Sequence, residues 1–238
     1  MLCVVVMAGC GGHHRSPVAS VPPPPEPSST ARVANPPSAT SPAADAEPET
    51  MVPPTAKVIY TETGWASWYG PSYHKRKAAN GEVYDMNGMT AAHRTLPLNS
   101  VARVTNLKTG HSELLRITDR GPFVNNRIID LSRTAAQKLD VYRPGTAQVK
   151  IEVLQSPVPI DRGGRWCVQI GAFKNSEDAT ALKDRLSRRY HTAKILQFTS
   201  PIGEDWLRVR VTDDDKQRAQ ALIQETHTDT SMFLVRLD

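Results

Sequence analysis

The chain has 238 residues, a net charge of +5 and a pI near 9.2, and two of its three cysteines, Cys3 and Cys10, fall within the first ten residues. That leaves Cys167 alone in the remainder, which excludes a disulfide framework there, and no run of 18 apolar residues is present to cross a membrane as a helix. The charge is uneven: residues 64–155 hold 13 Lys and Arg against 7 Asp and Glu, a net +6, whereas residues 162–238 hold 13 against 11. A basic segment suits an acidic partner, such as nucleic acid, anionic lipid or a carboxylate-bearing glycan. No basic helix with interleaved aromatics, zinc-finger spacing or base-stacking motif occurs, so no nucleic-acid partner is expected.

The first ten residues read MLCVVVMAGC. Small residues before a cysteine, as in Met7-Ala8-Gly9-Cys10, resemble the lipobox of bacterial lipoproteins, which implies cleavage before Cys10 and its acylation. Gly11 after the cysteine implies the outer membrane, with the protein facing the periplasm. Twelve of the 19 prolines lie between Pro17 and Pro54, among Ala, Ser and Thr. Such a composition buries too little apolar surface to offset its ordering entropy. Residues 11–60 are therefore expected to be a disordered, Pro-rich spacer, reaching on the order of 100 Å from a lipid anchor.

From residue 61 to 156 short apolar runs alternate with turn signals. Val149, Ile151 and Val153 alternate with Lys150 and Glu152, and Leu115 and Ile117 flank Arg116, the period-2 pattern of half-buried strands. Asn80-Gly81, Asn87-Gly88, Thr109-Gly110 and Gly121-Pro122 punctuate them. One helix is expected, at residues 132–139, with Ser132 as cap and Ala135, Ala136 and Leu139 as its apolar stripe. These elements predict a compact, mainly β barrel. His74, His93 and His111 show no metal-ligand spacing, so neither metal nor cofactor is expected.

Seven motifs occur in order: Gly64-Trp65-Ala66-Ser67-Trp68-Tyr69-Gly70, Ala79-Asn80-Gly81-Glu82, Thr90-Ala91-Ala92-His93, Leu96-Pro97, Val104-Thr105-Asn106, Asp119-Arg120-Gly121-Pro122-Phe123 and Arg127-Ile128-Ile129-Asp130-Leu131-Ser132. As an ordered set they resemble the rare lipoprotein A family. The resemblance implies a double-psi β-barrel related to those of expansins and some lytic transglycosylases. It also implies cleavage of peptidoglycan strands without water, leaving 1,6-anhydro-muramyl ends.

Hydrolysis of a glycoside takes two carboxylates, whereas a lytic transglycosylase needs one, because the sugar's own C6 hydroxyl replaces water. That carboxyl protonates the departing oxygen and then accepts the C6 proton, so a raised pKa serves it. Asp119, which follows a strand and opens a Gly-Pro turn, is the first candidate, with Glu82 and His93 as its catalytic neighbours. Glu82 is expected to raise the Asp119 pKa by like-charge repulsion, and His93 to donate to Asp119 or to an acetamido group. Asp130, in an apolar run, is the rival. Trp68, Tyr69, Arg120 and Asp130 are candidate substrate contacts, with Trp65 and Tyr73 as further stacking faces. For Asp119, pairing with Arg120 in a turn is the structural alternative, and for Trp65 and Trp68 it is core packing.

After a linker at residues 157–164, residues 165–238 read as βαββαβ: strands at 166–171, 193–198, 206–211 and 232–237, and helices after Ser176 and over 213–226. Val168-Gln169-Ile170-Gly171-Ala172-Phe173, with Trp206-Leu207-Arg208-Val209, resembles a sporulation-related repeat (SPOR) domain, which implies binding to glycan strands stripped of stem peptides at the division septum. Gln169, Phe173, Trp206 and Arg208 are the candidate binding face; Cys167 is expected to be a small buried residue. The whole reads as a monomeric, outer-membrane-tethered lytic transglycosylase acting on peptide-free strands. The alternative is a non-enzymatic, expansin-like glycan-binding lipoprotein.

Overall fold

The structure, a computed structural model, describes Val52 and residues 55–238. Cys10 and nearly all of the expected spacer lie outside the described residues.

Six strands close into a barrel: β1 (Tyr60–Trp68), β2 (Thr90–His93), β3 (Val101–Asn106), β4 (Ser112–Asp119), β5 (Arg127–Leu131) and β6 (Ala147–Gln155), in the order β1-β5-β2-β4-β3-β6. β6 returns antiparallel to β1. The pairs β1–β5 and β2–β4 are parallel and the others antiparallel, which gives the interlocked, double-psi-like topology that the motifs implied. The alternation in the sequence decides which side chains fill the lumen. Val149, Ile151 and Val153 of β6 and Leu115 and Ile117 of β4 are all fully buried in one cluster with Ala66, Val104, Ile129 and Leu131. Each such aliphatic side chain contributes about 1.5–3 kcal/mol. Helix α1 (Arg133–Lys138) begins as expected, with the Ser132 hydroxyl accepting from the Ala135 N–H at 3.2 Å.

The second unit follows with β7 (Trp166–Phe173), α2 (Ser176–Arg189), β8 (Lys194–Thr199), β9 (Asp205–Arg210), α3 (Lys216–Glu225) and β10 (Met232–Arg236). The sheet order is β10-β7-β9-β8, and the element order is the expected βαββαβ. Two helix starts differ from expectation. Asn175, not Ser176, caps α2 by accepting from the Asp178 N–H at 2.8 Å. Helix α3 begins at Lys216 rather than at residue 213, capped by Asp215. Asp213 and Asp214 have φ of +62° and +50°, which a right-handed helix does not admit, and Asp214 is instead held by Arg165 and Arg210.

One face of this sheet packs under the helices through Val168, Ile170, Leu207 and Val209. The other face carries Cys167, Trp206, Phe233 and Val235, all buried, and Phe123 of the barrel packs against them. The Phe123 ring lies 5.5 Å from Trp206 and 5.9 Å from Phe233. A sheet with apolar residues on both faces needs a cover on each, and the segment after β4 is the second cover. Backbone bonds seal the contact: the Arg236 N–H donates to the Arg94 carbonyl at 2.9 Å, and Arg120 donates to the backbone oxygen of Asp238 at 2.6 Å. Gly171, at φ +151°, is required because a Cβ there would run into the Trp206 indole. Cys167 is buried as expected, and burial pushes its thiol up to about 11.

Candidate active site

Asp119 ends β4 and Asp130 lies within β5, and both register against Ala92 of the intervening β2. The two carboxylates thus share one rung, two strand spacings or about 9–10 Å apart at the backbone. They line a cleft of about 1080 Å³ together with Tyr69 and Arg127, and across it stand Gln169, Trp206 and Arg208 of the second unit.

Asp119 is held by its backbone surroundings. Its Oδ1 accepts from the Ala79 N–H at 3.0 Å and the Arg120 N–H at 2.8 Å. Strand β4 stops there because Gly121 takes φ +148° and Pro122 has no N–H to continue a ladder. Burial raises the Asp119 pKa above the usual carboxylate range, against the pull of those two N–H groups and of the Arg120 and Arg208 charges. Asp130 is raised too, again by burial, offset by Arg127, by the Ser67 hydroxyl donating to Oδ1 at 2.6 Å and by Arg94. Arg127 approaches its Oδ2 at 3.6 Å.

Four expected members of the site stand elsewhere. Glu82 faces Arg116 in a bidentate pair, both N–O distances being 2.7 Å. Burial pushes its pKa up, but the hydrogen bonds from Arg116 and Asn80 and the Arg116 charge outweigh that and hold it below the usual value. It neither lines the cleft nor acts on Asp119 by repulsion, because a guanidinium neutralises it. The period-2 pattern had set Arg116 toward solvent, yet it is only 8% exposed, covered by Glu82. His93 is buried and turned away from Asp119. Its Nδ1 accepts from the Thr95 and Leu96 N–H groups at 3.2 and 3.0 Å, so its Nε2 donates to Glu62 Oε2 at 3.1 Å. Burial lowers its pKa, Glu62 opposing, and the neutral ring fixes the turn after β2. Trp68 packs on the barrel core with its ring 4.7 Å from Tyr142, and Trp65, 43% exposed, also lies outside the cleft.

Other candidates divide differently. Tyr69 lines the cleft, its ring 4.4 Å from Tyr84 and edge-on to Tyr73 at 5.9 Å. Arg120 borders it, but its guanidinium donates to the carbonyls of His93 and Leu96 and to the Asp238 backbone, and burial brings its pKa down to about 10. It pins the two units together instead of meeting a ligand. Phe173 reaches the cleft edge but packs mainly in the helix-side core. Gln169 and Arg208 are hydrogen-bonded across β7 and β9 at 3.0 Å, and Arg208 stacks 5.3 Å over the Phe198 ring. Sequence reasoning missed Ser67, Arg127, Phe123 and Phe198 as parts of the site. The first three lie inside the quoted motifs, while Phe198 was marked only as the end of the expected strand at 193–198.

Among the described residues no group of three or more His, Cys, Asp or Glu is placed to hold a metal ion.

Residues 61–151 match the family model described as lytic transglycolase, and residues 163–231 match the SPOR domain model. Relatives named endolytic peptidoglycan transglycosylase RlpA include one from Campylobacter jejuni, 41% identical over 175 residues, covering 63% of this chain and 62% of that one. A second, from Neisseria meningitidis, is 46% identical over 140 residues, covering 58% and 59%. A third, from Vibrio cholerae, is 39% identical over 163 residues, covering 66% and 62%. The chain spans about three fifths of the length of these relatives. The chain thus carries, in order, a region similar to the lytic transglycolase model and one similar to the SPOR domain model, and is similar to the RlpA proteins over about three fifths of their length.

Proposed function

We propose that this protein cleaves the glycan strands of peptidoglycan as an endolytic lytic transglycosylase, with Asp119 as the single acid/base. The observation that carries the reading is the Asp119 carboxyl: it lies on the wall of a large cleft, is oriented by two backbone N–H groups on one oxygen, and has its pKa shifted upward by burial, the direction that favours a proton donor. In the forward step the bond between C1 of a muramyl residue and the glycosidic oxygen breaks, and that oxygen takes the Asp119 proton. The C6 hydroxyl oxygen of the same muramyl residue then bonds to C1, and its proton returns to Asp119. No water enters and the carboxyl ends as it began, so the products are a 1,6-anhydro-muramyl end and a free 4-hydroxyl end. Asp130, on the same rung and flanked by Arg127, stands where charge developing at C1 would be felt, and it is the alternative acid/base.

The barrel of residues 61–156 supplies the chemistry in this reading, and residues 165–238, after the segment 157–164, bind strands that have lost their stem peptides. Such strands accumulate at the division septum, which is where the protein would act. Acylation at Cys10 would hold a monomer on the periplasmic face of the outer membrane, the Pro-rich spacer giving it reach. The test is a digest of purified peptidoglycan sacculi and of amidase-stripped strands, with the muropeptides read by mass spectrometry. Anhydro-muramyl ends within the strand, from the stripped substrate first, are expected. Binding without any such ends would leave the expansin-like, non-enzymatic reading in its place.

A further inference from the structure

The cleft is built by both domains at once. Asp119, Asp130, Tyr69 and Arg127 come from the barrel, and Gln169, Trp206 and Arg208 from the sheet that packs against it. Its volume of about 1080 Å³ lies just above the range for small-molecule clefts, about 300–1,000 Å³, so more than one sugar fits between the two walls. The glycan-binding face of the second domain and the catalytic carboxyl are therefore not separate stations on a flexible chain. A strand lying on the sheet lies along the barrel mouth.

Arg208 is the side chain whose chemistry is left open. Its Nη2 donates to a neutral amide, Gln169 Oε1, and its plane rests on Phe198. Its Nε is buried with no hydrogen-bond partner among the described residues, and no carboxylate there lies within ion-pair distance of it. The other guanidinium groups of the cleft are engaged. Arg120 donates to three backbone oxygens, Arg76 donates its Nε to the Ser72 carbonyl and Arg127 faces Asp130, although the Nε atoms of Arg120 and Arg127 are, like that of Arg208, buried without a hydrogen-bond partner among the described residues. A planar guanidinium in a cleft, held by stacking and one neutral amide and with no ion-pair partner among the described residues, is a fork prepared for a carboxylate. Arg208 is also near enough to Asp119 for its charge to favour the ionised carboxyl.

We infer that the second domain forms the far wall of the catalytic cleft and that Arg208 receives the free lactyl carboxylate of a muramyl residue beside the bond that Asp119 cleaves. This rests on the function proposed above and adds to it the determinant for peptide-free strands. When a stem peptide is attached, the lactyl carboxyl is an amide, which carries no charge for Arg208. The selectivity then resides in the cleft itself and not only in where the protein is localised.

The experiment uses the full chain and two soluble substrates: peptide-free glycan strands, and the same strands with their lactyl carboxyls converted to methyl amides by carbodiimide coupling. Dissociation constants are measured by calorimetry, and KM and kcat by release of anhydro ends. For the wild type, amidation is expected to weaken binding and raise KM by roughly 10-fold, the range of a hydrogen bond to a charged group. Arg208→Gln should show a similar 10-fold loss on the free-carboxylate strands, lose its discrimination between the two substrates, and change kcat far less than KM. Arg208→Lys should restore part of the discrimination. Arg208→Gln should also shift the alkaline limb of the pH profile upward, because a charge favouring ionised Asp119 is gone. If a normally melting Arg208→Gln protein keeps wild-type KM and wild-type discrimination, or if the wild type does not discriminate, the inference is overturned. Should the wild type release no anhydro ends from either substrate, the proposed function fails instead, and the dissociation constants for the two strands still decide the role of Arg208.

Discussion

Asp119→Asn removes the ability to transfer a proton while keeping the shape of the side chain, and its consequences for activity and for stability have opposite signs. Positioned acid/base groups contribute about 10²- to 10⁴-fold, equivalent to about 2.7–5.5 kcal/mol of barrier, so turnover should fall by at least the lower figure. Stability should not fall with it. Asn Oδ1 can still accept from the Ala79 and Arg120 N–H groups that hold the native Oδ1. The native carboxyl has a folded-state pKa above its ordinary value of 3.8, because burial disfavours the charge. The folded protein therefore binds that proton more tightly than the unfolded chain does. Stability from this site is present at low pH and is lost as pH rises from about the ordinary value through the raised one. Above the raised pKa the wild type carries a buried, charged carboxylate that the variant lacks, so in that range the Tm of Asp119→Asn should equal or exceed that of the wild type, the difference vanishing in acid. Anhydro-end release measured alongside a pH series of melting curves checks both halves. A variant that melts normally and still cleaves at a near wild-type rate would refute the reasoning and reduce Asp119 to the anchor of its turn.

Asp130→Asn should lose at least an order of magnitude less turnover than Asp119→Asn in the same assay; the reverse ranking transfers the acid/base role to Asp130. Glu82→Gln should lower stability by about 1 kcal/mol, since the pair with Arg116 is partly solvated, while activity per folded molecule holds. The Glu82 carboxyl is depressed in the folded state, so its contribution is present above the unfolded pKa and lost as pH falls through the depressed one; acid melting curves of wild type and variant should converge there. Phe123→Ala should cost about 1–3 kcal/mol by opening the aromatic contact with Trp206 and Phe233, and should speed limited proteolysis within residues 157–164, read by mass spectrometry. Cys10→Ser should move the protein from the membrane to the soluble fraction, and a variant that stays with the membrane removes the lipidation reading.

The elements were legible from the sequence because they rest on local rules, whereas the class of chemistry was implied only by the resemblance that the ordered motifs carry. Period-2 alternation marked β4 and β6 and placed Leu115, Ile117, Val149, Ile151 and Val153 in a core, where they are. A serine before two alanines marked the cap of α1. An aspartate followed by Gly-Pro marked a strand end, and the order of short motifs marked the fold. Partner choice was decided only by the tertiary structure, since side chains far apart in sequence compete for the same neighbours. Glu82 was read as a neighbour of Asp119 and instead pairs with Arg116, because the barrel brings β4 beneath the turn that holds it. His93 was read as a donor to Asp119, but the turn after β2 claims one ring nitrogen and Glu62 of β1 the other. Trp68 found Tyr142, 74 positions away. The largest difference lies between domains. The SPOR resemblance marked Gln169, Phe173, Trp206 and Arg208 as the candidate binding face, and the alternation within β7 and β9 puts Gln169, Trp206 and Arg208 on one face. That this face meets the barrel at Asp119 follows from burial of Phe123 between Trp206 and Phe233, a packing preference that no local pattern encodes.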